Sequence, residues 1–463
     1  MQPKSFYIHT IGCQMNVSDS ERIARGLAPR GYVPAPTAGA ADLVIVNTCS
    51  VRAKAEQKAF SLLGQLAAVK AQRPDMVVVV TGCVAQQEGE RIRERAPHVD
   101  LVVGTRAIHR LGVLLERLPF HPRPLVDVGM NSPADEIDAC PTGEGAGKVA
   151  RFVTIMRGCD NFCAYCVVPF VRGRESSRPP EAILREIREL AAAGVCEVTL
   201  LGQNVNSYGV KEGICSFAEL LDQVNAVEGL ERVRFTTSHP KDLTADLIQR
   251  FAILEKLCPH IHLPVQSGSN RILARMNRRY TREHYLDNIA KLRNSCAQIA
   301  VTSDIIVGFP GESASDFEAT LELMRQVEFD GVFAFTYSDR PNAPARSFPE
   351  KIPEHEKRER LQAVLALQQS VTFAKHQAMV GSVQPVLTEG LSKRPAAGAA
   401  DRKLRMQWTG RTPGNKIVHF LGSDSGECSD SVRPGLVAWI RIERALAHSL
   451  WGRLERPGAG GPP

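Results

Sequence analysis

Short apolar runs alternate with amphipathic stretches over residues 4–120. The apolar runs are rich in Val and Ile and are bounded by polar residues, a pattern typical of buried strands. They cover residues 5–10, 43–47, 76–81 and 101–103. Between them, residues 19–28 and 53–69 carry apolar side chains at helical spacing. The alternation predicts an open α/β domain built on a parallel sheet.

The same alternation returns over residues 149–379, after a stretch rich in Pro, Gly and Asp that has no periodicity. That stretch, residues 121–148, is predicted to be a linker. Six strands are then predicted, at residues 152–156, 198–201, 233–236, 260–264, 299–306 and 332–337. Helical patterns such as residues 180–193 separate them. The six units predict a partial (β/α)6 barrel, with functional groups at the carboxyl ends of its strands.

Residues 380–448 change to short alternating strands separated by turn residues, which predicts a small antiparallel β-barrel. Between residues 381 and 450 there are ten Lys or Arg and six Asp or Glu, so four of the chain's seven net positive charges lie here. Such an excess permits a polyanionic partner without requiring one. Residues 392–403 are predicted to form a flexible hairpin insert, and residues 449–463 a tail.

Three closely spaced cysteines, Cys159, Cys163 and Cys166, follow the first predicted strand of the barrel in a CxxxCxxC pattern. Three thiolates this close can hold three irons of a 4Fe–4S cluster, which leaves the fourth iron open to a small molecule. A zinc site normally closes with a fourth Cys or His. A disulfide framework is not expected in a long chain without an export signal. Structural zinc and unrelated core thiols stay as alternatives.

A second set of cysteines, Cys13, Cys49 and Cys83, is dispersed in the sequence. Each lies two or three residues past the end of a predicted parallel strand. Because such strand ends share one edge of an open sheet, the three thiols are expected to converge. They are interpreted as a second three-cysteine cluster, with buried core thiols as the alternative. The other cysteines match no cluster position and are interpreted as structural; they are Cys140, Cys196, Cys215, Cys258, Cys296 and Cys428.

Polar and Gly-rich stretches close three strands of the predicted barrel, at residues 202–204, 262–268 and 304–312. Their recurrence at one rim favours a small-ligand site there. His239 and His262 lie at strand ends, where they could approach a ligand; a hydrogen-bonded structural role is the favoured interpretation. A run of arginines is either a solvated helix face or a phosphate-contacting patch. Its members are Arg271, Arg275, Arg278, Arg279 and Arg282.

The CxxxCxxC spacing resembles the hallmark of the radical S-adenosylmethionine (SAM) superfamily. The three-part plan, with dispersed cysteines ahead of the barrel and a small β-domain after it, resembles the methylthiotransferases. Residues 10–16, 47–52 and 202–209 are closest to the MiaB-type enzymes, and residues 410–420 and 447–450 resemble their RNA-binding TRAM domain. The similarity covers residues 4–450. The chain departs from it in the insert at 395–400 and in a less basic stretch at 413–416.

The resemblance implies two 4Fe–4S clusters and SAM as cofactors. The Cys159 cluster would split SAM to a 5′-deoxyadenosyl radical, and the Cys13 cluster would present sulfur methylated by a second SAM. No side-chain acid or base is expected, because cofactors carry such carbon–hydrogen chemistry. In the superfamily pattern, Tyr165 flanks the adenine of SAM. Residues 202–204 lie near the methionine amine of SAM, and residues 266–267 lie near its ribose. The implied cofactor-binding residues are therefore Tyr165, Gly202, Gln203, Asn204, Gln266 and Ser267.

The implied substrate is isopentenylated adenosine beside the tRNA anticodon. The implied partners are an electron donor such as flavodoxin or ferredoxin and a sulfur donor, for a monomeric cytoplasmic protein. No apolar stretch approaches the ~20 residues of a membrane span. Arg411 and Lys416 are expected to contact RNA phosphates.

Rival substrates are threonylcarbamoyladenosine in tRNA and an aspartate of a ribosomal protein, and residues 203–206 disfavour both. A rival of another class is a non-catalytic iron–sulfur protein that carries electrons and binds RNA. That rival differs from the enzymes in predicting no cleavage of SAM.

Overall fold

A parallel six-stranded sheet forms the N-terminal domain in the computed structural model, which describes residues 3–50, 53–130, 148–392, 407–422 and 432–455. In spatial order the strands are β2-β1-β3-β4-β5-β6. They are β1 (Lys4–Ile11), β2 (Tyr32–Pro34), β3 (Leu43–Thr48), β4 (Val77–Gly82), β5 (Leu101–Val103) and β6 (Leu125–Asp127). The helices of this domain are α1 (Gln14–Leu27), α2 (Ala53–Gln72), α3 (Cys83–Glu88), α4 (Arg91–Arg95) and α5 (Leu111–Arg117).

Helices cover both faces of this sheet, so alternate residues of each central strand enter different cores. Leu43 and Ile45 pack on one face, and Val44 and Val46 on the other. The predicted open α/β domain is therefore confirmed. Strands β2 and β6 were not predicted, because three residues are too few to show a period of two. Since β6 lies within residues 121–148, the linker prediction is wrong there; residues 131–147 lie outside the described chain.

Six parallel strands form the central domain as two connected three-stranded sheets, β7-β10-β11 and β12-β13-β14. A bridge between Val233 and Leu257 links the sheets. The strands are β7 (Ala150–Thr154), β10 (Glu197–Leu201), β11 (Arg232–Thr236), β12 (His260–His262), β13 (Ala300–Val307) and β14 (Gly331–Thr336). The helices are α6 (Val168–Val171), α7 (Pro180–Ala192), α8 (Phe217–Asn225), α9 (Ala245–Ile253), α10 (Asn270–Arg275), α11 (Arg282–Ser295) and α12 (Ala314–Val327). This arrangement confirms the predicted partial barrel.

The first predicted barrel strand is split in the structure. Beyond β7, the two-residue strand β8 (Met156–Arg157) pairs antiparallel with β9 (Ser176–Ser177). This short hairpin holds together the two ends of the segment that carries the CxxxCxxC cysteines. The continuous apolar run at residues 152–156 could not reveal the break, because strand and hairpin positions are both buried.

A closed five-stranded barrel forms the C-terminal domain, in the order β15-β16-β17-β19-β18. Its strands are β15 (Val383–Leu391), β16 (Gln407–Arg411), β17 (Ile417–Leu421), β18 (Val437–Ala445) and β19 (Leu450–Leu454). The pairings are antiparallel except that of β17 with β19, which is parallel. The predicted end at residue 448 is wrong, because Leu450 is buried in the barrel core. The insert at 395–400 and residues 456–463 lie outside the described residues.

A 25-residue helix, α13 (Glu354–Ala378), joins the central domain to the C-terminal barrel. Its Arg360 forms a buried ion pair of 2.6 Å with Glu312, and Gln368 donates to the carbonyl of Phe329. Near its end, His376 lies 3.0 Å from the carbonyl oxygen of Leu446 in the barrel. Among the residues described, none of the helices combines the length and apolarity that crossing a bilayer requires.

The turn between β16 and β17 docks against the amino ends of the central strands. Arg232 and Arg234, at the start of β11, donate hydrogen bonds of 2.7–3.0 Å to four backbone carbonyls of the C-terminal domain. Lys416 forms a 2.6 Å ion pair with Asp330, just before β14. Because buried guanidinium groups need partners, this contact fixes the two domains together.

The predicted RNA contacts at this turn need correction. The Lys416 side chain is only 11% exposed and is paired with Asp330, so it is not free to bind phosphate. Arg411 is paired with Glu389 at 2.9 Å and also donates to Asn415. The sequence shows the positive charges but not their partners, since Asp330 lies 86 residues away from Lys416 along the chain.

We predict that Asp330→Ala destabilises the protein by about 3 kcal/mol, the cost of leaving a largely buried cation unpaired. Burial alone would raise the pKa of Asp330, but Lys416 and Lys375 hold that pKa below its ordinary value. The stabilisation is therefore complete above the unfolded pKa, about 4, and is lost as the pH falls through the lower folded value. Urea unfolding at pH 7 and at acid pH measures both effects.

The matched control is Asp287→Ala, which breaks an exposed pair with Lys291 on α11. We expect this change to cost at most about 0.5 kcal/mol. An equal decrease in the free energy of unfolding in the two variants would contradict the docking role of Asp330.

Candidate functional site

The CxxxCxxC cysteines lie in the loop that the β8–β9 hairpin closes. The amide of Cys159 donates to the carbonyl of Gly173 at 3.3 Å, and the amide of Cys166 donates to the carbonyl of Cys163 at 3.0 Å. Burial, together with the neighbouring Cys163 thiol, raises the pKa of Cys159 to about 11 and that of Cys166 to about 12. Such clustered thiols stay protonated until a cation compensates their charge, as metal binding does.

A buried arginine, Arg278, supplies positive charge to this loop. Its Nη1 lies 3.3 Å from the sulfur of Cys163 and 3.3 Å from the hydroxyl of Tyr165. Its Nη2 donates to the carbonyl of Pro264 at 2.7 Å, which fixes the guanidinium in place. The chemistry of this set, three thiols beside one cation, fits a cluster bound through thiolates.

The dispersed cysteines converge as predicted. Cys13, Cys49 and Cys83 follow the ends of three neighbouring strands, β1, β3 and β4. A hydrogen bond from the Cys49 thiol lowers the pKa of Cys13 to about 6, despite burial. Burial raises the pKa of Cys83, and the nearby Arg172 opposes that shift. Their role as cluster ligands stays a prediction.

Gly82 explains how β4 brings Cys83 so close to the end of β3. Its φ is +91°, a conformation that favours glycine, and a Cβ atom there would lie 2.3 Å from the carbonyl oxygen of Thr48. A larger residue would therefore push the two strand ends apart.

The two groups of thiols face each other across the junction of the first two domains. Val167, which follows Cys166 directly, and Val171 on α6 pack in one apolar cluster with Cys83. Thr105 of the N-terminal domain donates to the carbonyl of Val171 at 2.5 Å. A ligand held by one group is therefore close to a ligand held by the other.

Neither group is arranged around a single ion. Within the described ranges, no three His, Cys, Asp or Glu side chains are placed to hold one metal ion between them. A tetrahedral zinc site needs its ligands to point at a single atom. The thiolates of a 4Fe–4S cluster each bind a different iron and need no such convergence.

Two of the residues predicted to bind SAM have unsatisfied amide groups at the rim of the barrel. Gln203 accepts a 2.5 Å hydrogen bond from the amide of Gly158, but its Nε2 is buried without a partner in the described chain. Gln266 has a φ of +74° and is 6% exposed, and its Oε1 likewise has no partner there. Buried polar groups of this kind indicate a polar ligand that fits between them.

Two other residues predicted to bind SAM form hydrogen bonds within the protein instead. Asn204 donates to Asp242 at 2.7 Å and to Ser207 at 2.9 Å. Ser267 is fully buried, and its hydroxyl contacts Thr320 at 3.4 Å and accepts from the amide of Ser269. The structure does not bring the Ser267 hydroxyl to the rim.

Further polar groups lie at this rim; the sequence analysis had favoured a structural role for His239 and had not singled out Ser238 or Asn206 as ligand-binding residues. Ser238 Oγ, His239 Nε2 and both amide atoms of Asn206 are buried without a partner in the described residues. The Nδ1 of His239 does accept from the amide of Lys241, and burial lowers the pKa of the ring far below its ordinary value. His239 therefore stays neutral and can exchange a hydrogen bond with a ligand. Its position after a barrel strand was the available signal.

The arginine run is not one surface. Arg271, Arg275 and Arg282 form ion pairs with Asp316, Glu350 and Glu322 respectively, whereas Arg278 is buried beside Cys163. Arg278 therefore belongs neither to a solvated helix face nor to a phosphate-contacting patch, the two interpretations that the sequence suggested. Cys140 and Cys428 lie outside the described residues. The remaining cysteines have other neighbours than the two groups; they are Cys196, Cys215, Cys258 and Cys296.

A cavity of about 530 Å³ opens beside the cysteine loop, between the first two domains. Burial raises the pKa of Glu175 in its wall to about 7. Close by, the ring of Phe162 packs edge-on against that of Phe170. The guanidinium carbon of Arg174 lies over the Phe162 ring, 5.1 Å from the ring centroid. The cavity is lined by Arg106, Met130, Pro169, Gly173, Arg174, Glu175, Ser176, Lys211 and Glu212.

Two family models match the chain. One is described as "Uncharacterized protein family UPF0004" and matches residues 5–104. The other, the radical SAM superfamily, matches residues 153–324. The first match contains Cys13, Cys49 and Cys83, and the second contains the CxxxCxxC loop.

Curated relatives are similar over nearly their whole length. The tRNA-2-methylthio-N(6)-dimethylallyladenosine synthase of Desulfosudis oleivorans is 52% identical over 462 residues, which cover 99% of each chain. The protein of the same name from Geobacter metallireducens is 50% identical over 452 residues, covering 97% of this chain and 98% of the relative.

Among solved structures, the chain is similar to the radical S-adenosylmethionine methyltransferase TsrM from Kitasatospora setae. The TM-score is 0.55 at 13% identity, and the match covers 75% of this chain and 74% of TsrM. At this identity the likeness concerns the fold alone.

We predict that Gly202→Ala disturbs the rim, because a Cβ atom there would lie 2.5 Å from Cγ of Met156. Overpacking of this kind costs roughly 1–3 kcal/mol. Met156 begins the hairpin that closes the cysteine loop, so its displacement should shift the rim and weaken SAM binding. The iron content of the protein should be unchanged. Urea unfolding and equilibrium dialysis with SAM measure the two effects.

Adding Met156→Ala removes the clashing atoms, so the double variant should lose less stability than the sum of the single variants. Gly64→Ala is the matched control, since Gly64 lies in α2 with nothing within 4 Å of its Cβ position. If the stability losses of Gly202→Ala and Met156→Ala simply add in the double variant, the proposed clash between the two side chains is ruled out.

Proposed function

The chain belongs to the family of tRNA-2-methylthio-N(6)-dimethylallyladenosine synthases, and we propose that it adds a methylthio group to dimethylallylated adenosine beside the anticodon of tRNA. One observation carries this proposal: two groups of three cysteines face each other across a domain junction. Each group leaves a cluster with one iron free to bind a small molecule. Two irons without a protein ligand at one junction suit a reaction in which one cluster generates a radical and the other supplies the sulfur that is inserted.

Cys159, Cys163 and Cys166 would hold one 4Fe–4S cluster, and the dispersed cysteines the other. When bound, the first supplies reductive cleavage of SAM and the second supplies the sulfur that is transferred. The family pattern, rather than a measured cofactor, is the support for two clusters. The electron donor, the sulfur donor and the monomeric state stay predictions.

The polar groups of this chain would bind and orient SAM. The hydrogen bond from Gly158 to Gln203 ties the cysteine loop to the end of β10. The free amide atoms of Gln203 and Gln266 would bind the polar groups of SAM, and the neutral ring of His239 would complete the rim. Arg278 would balance the charge of the thiolates. None of these groups needs to act as an acid or base.

The RNA would approach along the cavity between the first two domains. Phe170 is 40% exposed at its edge, next to Phe162 and Arg174. Unpaired bases of RNA loops stack on aromatic rings and on guanidinium planes. We therefore propose that a base of the anticodon loop stacks here while the target adenosine enters the junction. The rival substrates, threonylcarbamoyladenosine and a protein aspartate, receive no support from the named relatives.

Two triple variants test the division of labour. Replacing Cys159, Cys163 and Cys166 by Ala should halve the iron content from about eight per chain, the sum for two four-iron clusters, and abolish deoxyadenosine formation. Replacing Cys13, Cys49 and Cys83 should also halve the iron, but should keep SAM cleavage and stop sulfur insertion. Iron assay and nucleoside mass spectrometry with isopentenylated tRNA give the readouts. Methylthiolation by either variant would refute the assignment.

We predict that Phe170→Ala weakens tRNA binding about tenfold, within the roughly 1–3 kcal/mol that stacking contributes per base. SAM cleavage without tRNA should be unchanged, because Phe170 lies on the outer side of the loop. Phe373→Ala on α13 is the matched control, since Phe373 is 47% exposed. Equal tRNA affinity of the two variants, measured by filter binding, would exclude the stacking role.

A further inference from the structure

The cysteine loop is held to the N-terminal domain by a buried charge cluster. Arg157 precedes the three cysteines and Arg172 follows them within the same loop, and both face Asp19 on α1. The Arg172–Asp19 distance is 2.8 Å and the Arg157–Asp19 distance is 3.9 Å. Asp19 is 1% exposed and Arg172 is 4% exposed. Since α1 begins directly after Cys13, one carboxylate links the two cysteine groups.

The backbone around Arg172 is fixed from the N-terminal domain. Arg106 donates from its Nε to the carbonyl of Arg172 at 3.2 Å, one residue after the bond from Thr105 to Val171. The guanidinium is thereby directed at the dispersed cysteines, where its charge acts on both Cys13 and Cys83.

One terminal nitrogen of Arg172 has unused hydrogen-bonding capacity. Nη1 lies 2.8 Å from Oδ2 of Asp19, and the guanidinium is close enough to the Cys83 thiol to oppose the rise in its pKa. Nη2 is buried and has no hydrogen-bond partner within the described chain. Leaving a donor of a buried cation unused costs free energy, so such groups normally have partners. The sulfur atoms of a cluster at Cys13, Cys49 and Cys83 would be acceptors at this place.

We propose that Arg172 is a positioning residue for the second cluster, donating hydrogen bonds to its sulfur atoms from the radical-generating domain. This inference rests on the proposed function, which assigns a cluster to the dispersed cysteines. Hydrogen bonds to cluster sulfurs are among the factors that set reduction potential. A positive donor stabilises the reduced, more negative state, so Arg172 raises the potential, and the Asp19 carboxylate opposes it.

The test uses the full-length chain with Cys159, Cys163 and Cys166 replaced by Ala, so that reconstitution loads only the second cluster. The midpoint potential is measured by redox titration followed by electron paramagnetic resonance. We expect Arg172→Met to shift it to a more negative value and Arg172→Lys to give a smaller shift of the same sign. Asp19→Asn should shift it to a more positive value. Arg185→Met, which removes an exposed arginine of α7, should leave it unchanged.

Opposite signs for the two partners of one ion pair support the proposal, because a purely structural role predicts no such pattern. If Arg172→Met fails to load iron, the Lys and Asp19→Asn variants decide. A potential unchanged in those two overturns the inference alone. A parent protein that binds no iron overturns the second cluster as well, so the two failures are distinguishable.

Discussion

Asp19 is the carboxylate on which the geometry of the junction depends. It lies on the helix that begins after Cys13, and it faces two arginines that lie before and after the cysteines of the CxxxCxxC motif. Removing one partner of a buried charge cluster is costly, because the others are left uncompensated. The charge cluster therefore fixes the orientation of two domains that each carry one group of three cysteines. Specific pairing across the junction, rather than apolar area alone, sets how the cysteine groups meet.

The partial barrel is used differently at its two ends. At the carboxyl ends of the strands, Nε2 of Gln203, Oε1 of Gln266 and Nε2 of the neutral His239 are buried without partners in the described residues. This is expected where a polar ligand binds. At the amino ends, Arg232 and Arg234 donate to backbone carbonyls of the C-terminal domain, and Asp330 pairs with Lys416. The docked turn thus covers the amino ends, whereas the carboxyl ends form the rim with the predicted SAM-binding residues.

Much of this plan could be predicted from the sequence, because it follows from periodicity. The alternating patterns gave the three domains, and the strand-end positions of Cys13, Cys49 and Cys83 predicted their convergence. The partners of Arg172, Arg278 and Lys416 could not be predicted, since each is set by tertiary packing over a long sequence separation. The strands β2 and β6 were missed for a local reason, as three residues show no period.

The parallel pairing of β17 with β19 has a consequence for how the protein is assembled. In the closed barrel β19 lies between β17 and β18, so the barrel is open until this strand is inserted. β19 is also the last described strand to be synthesised. Domains generally fold in the order of their synthesis. The central strands would therefore form with their amino ends uncovered, and the C-terminal barrel would seal them as the final step of folding.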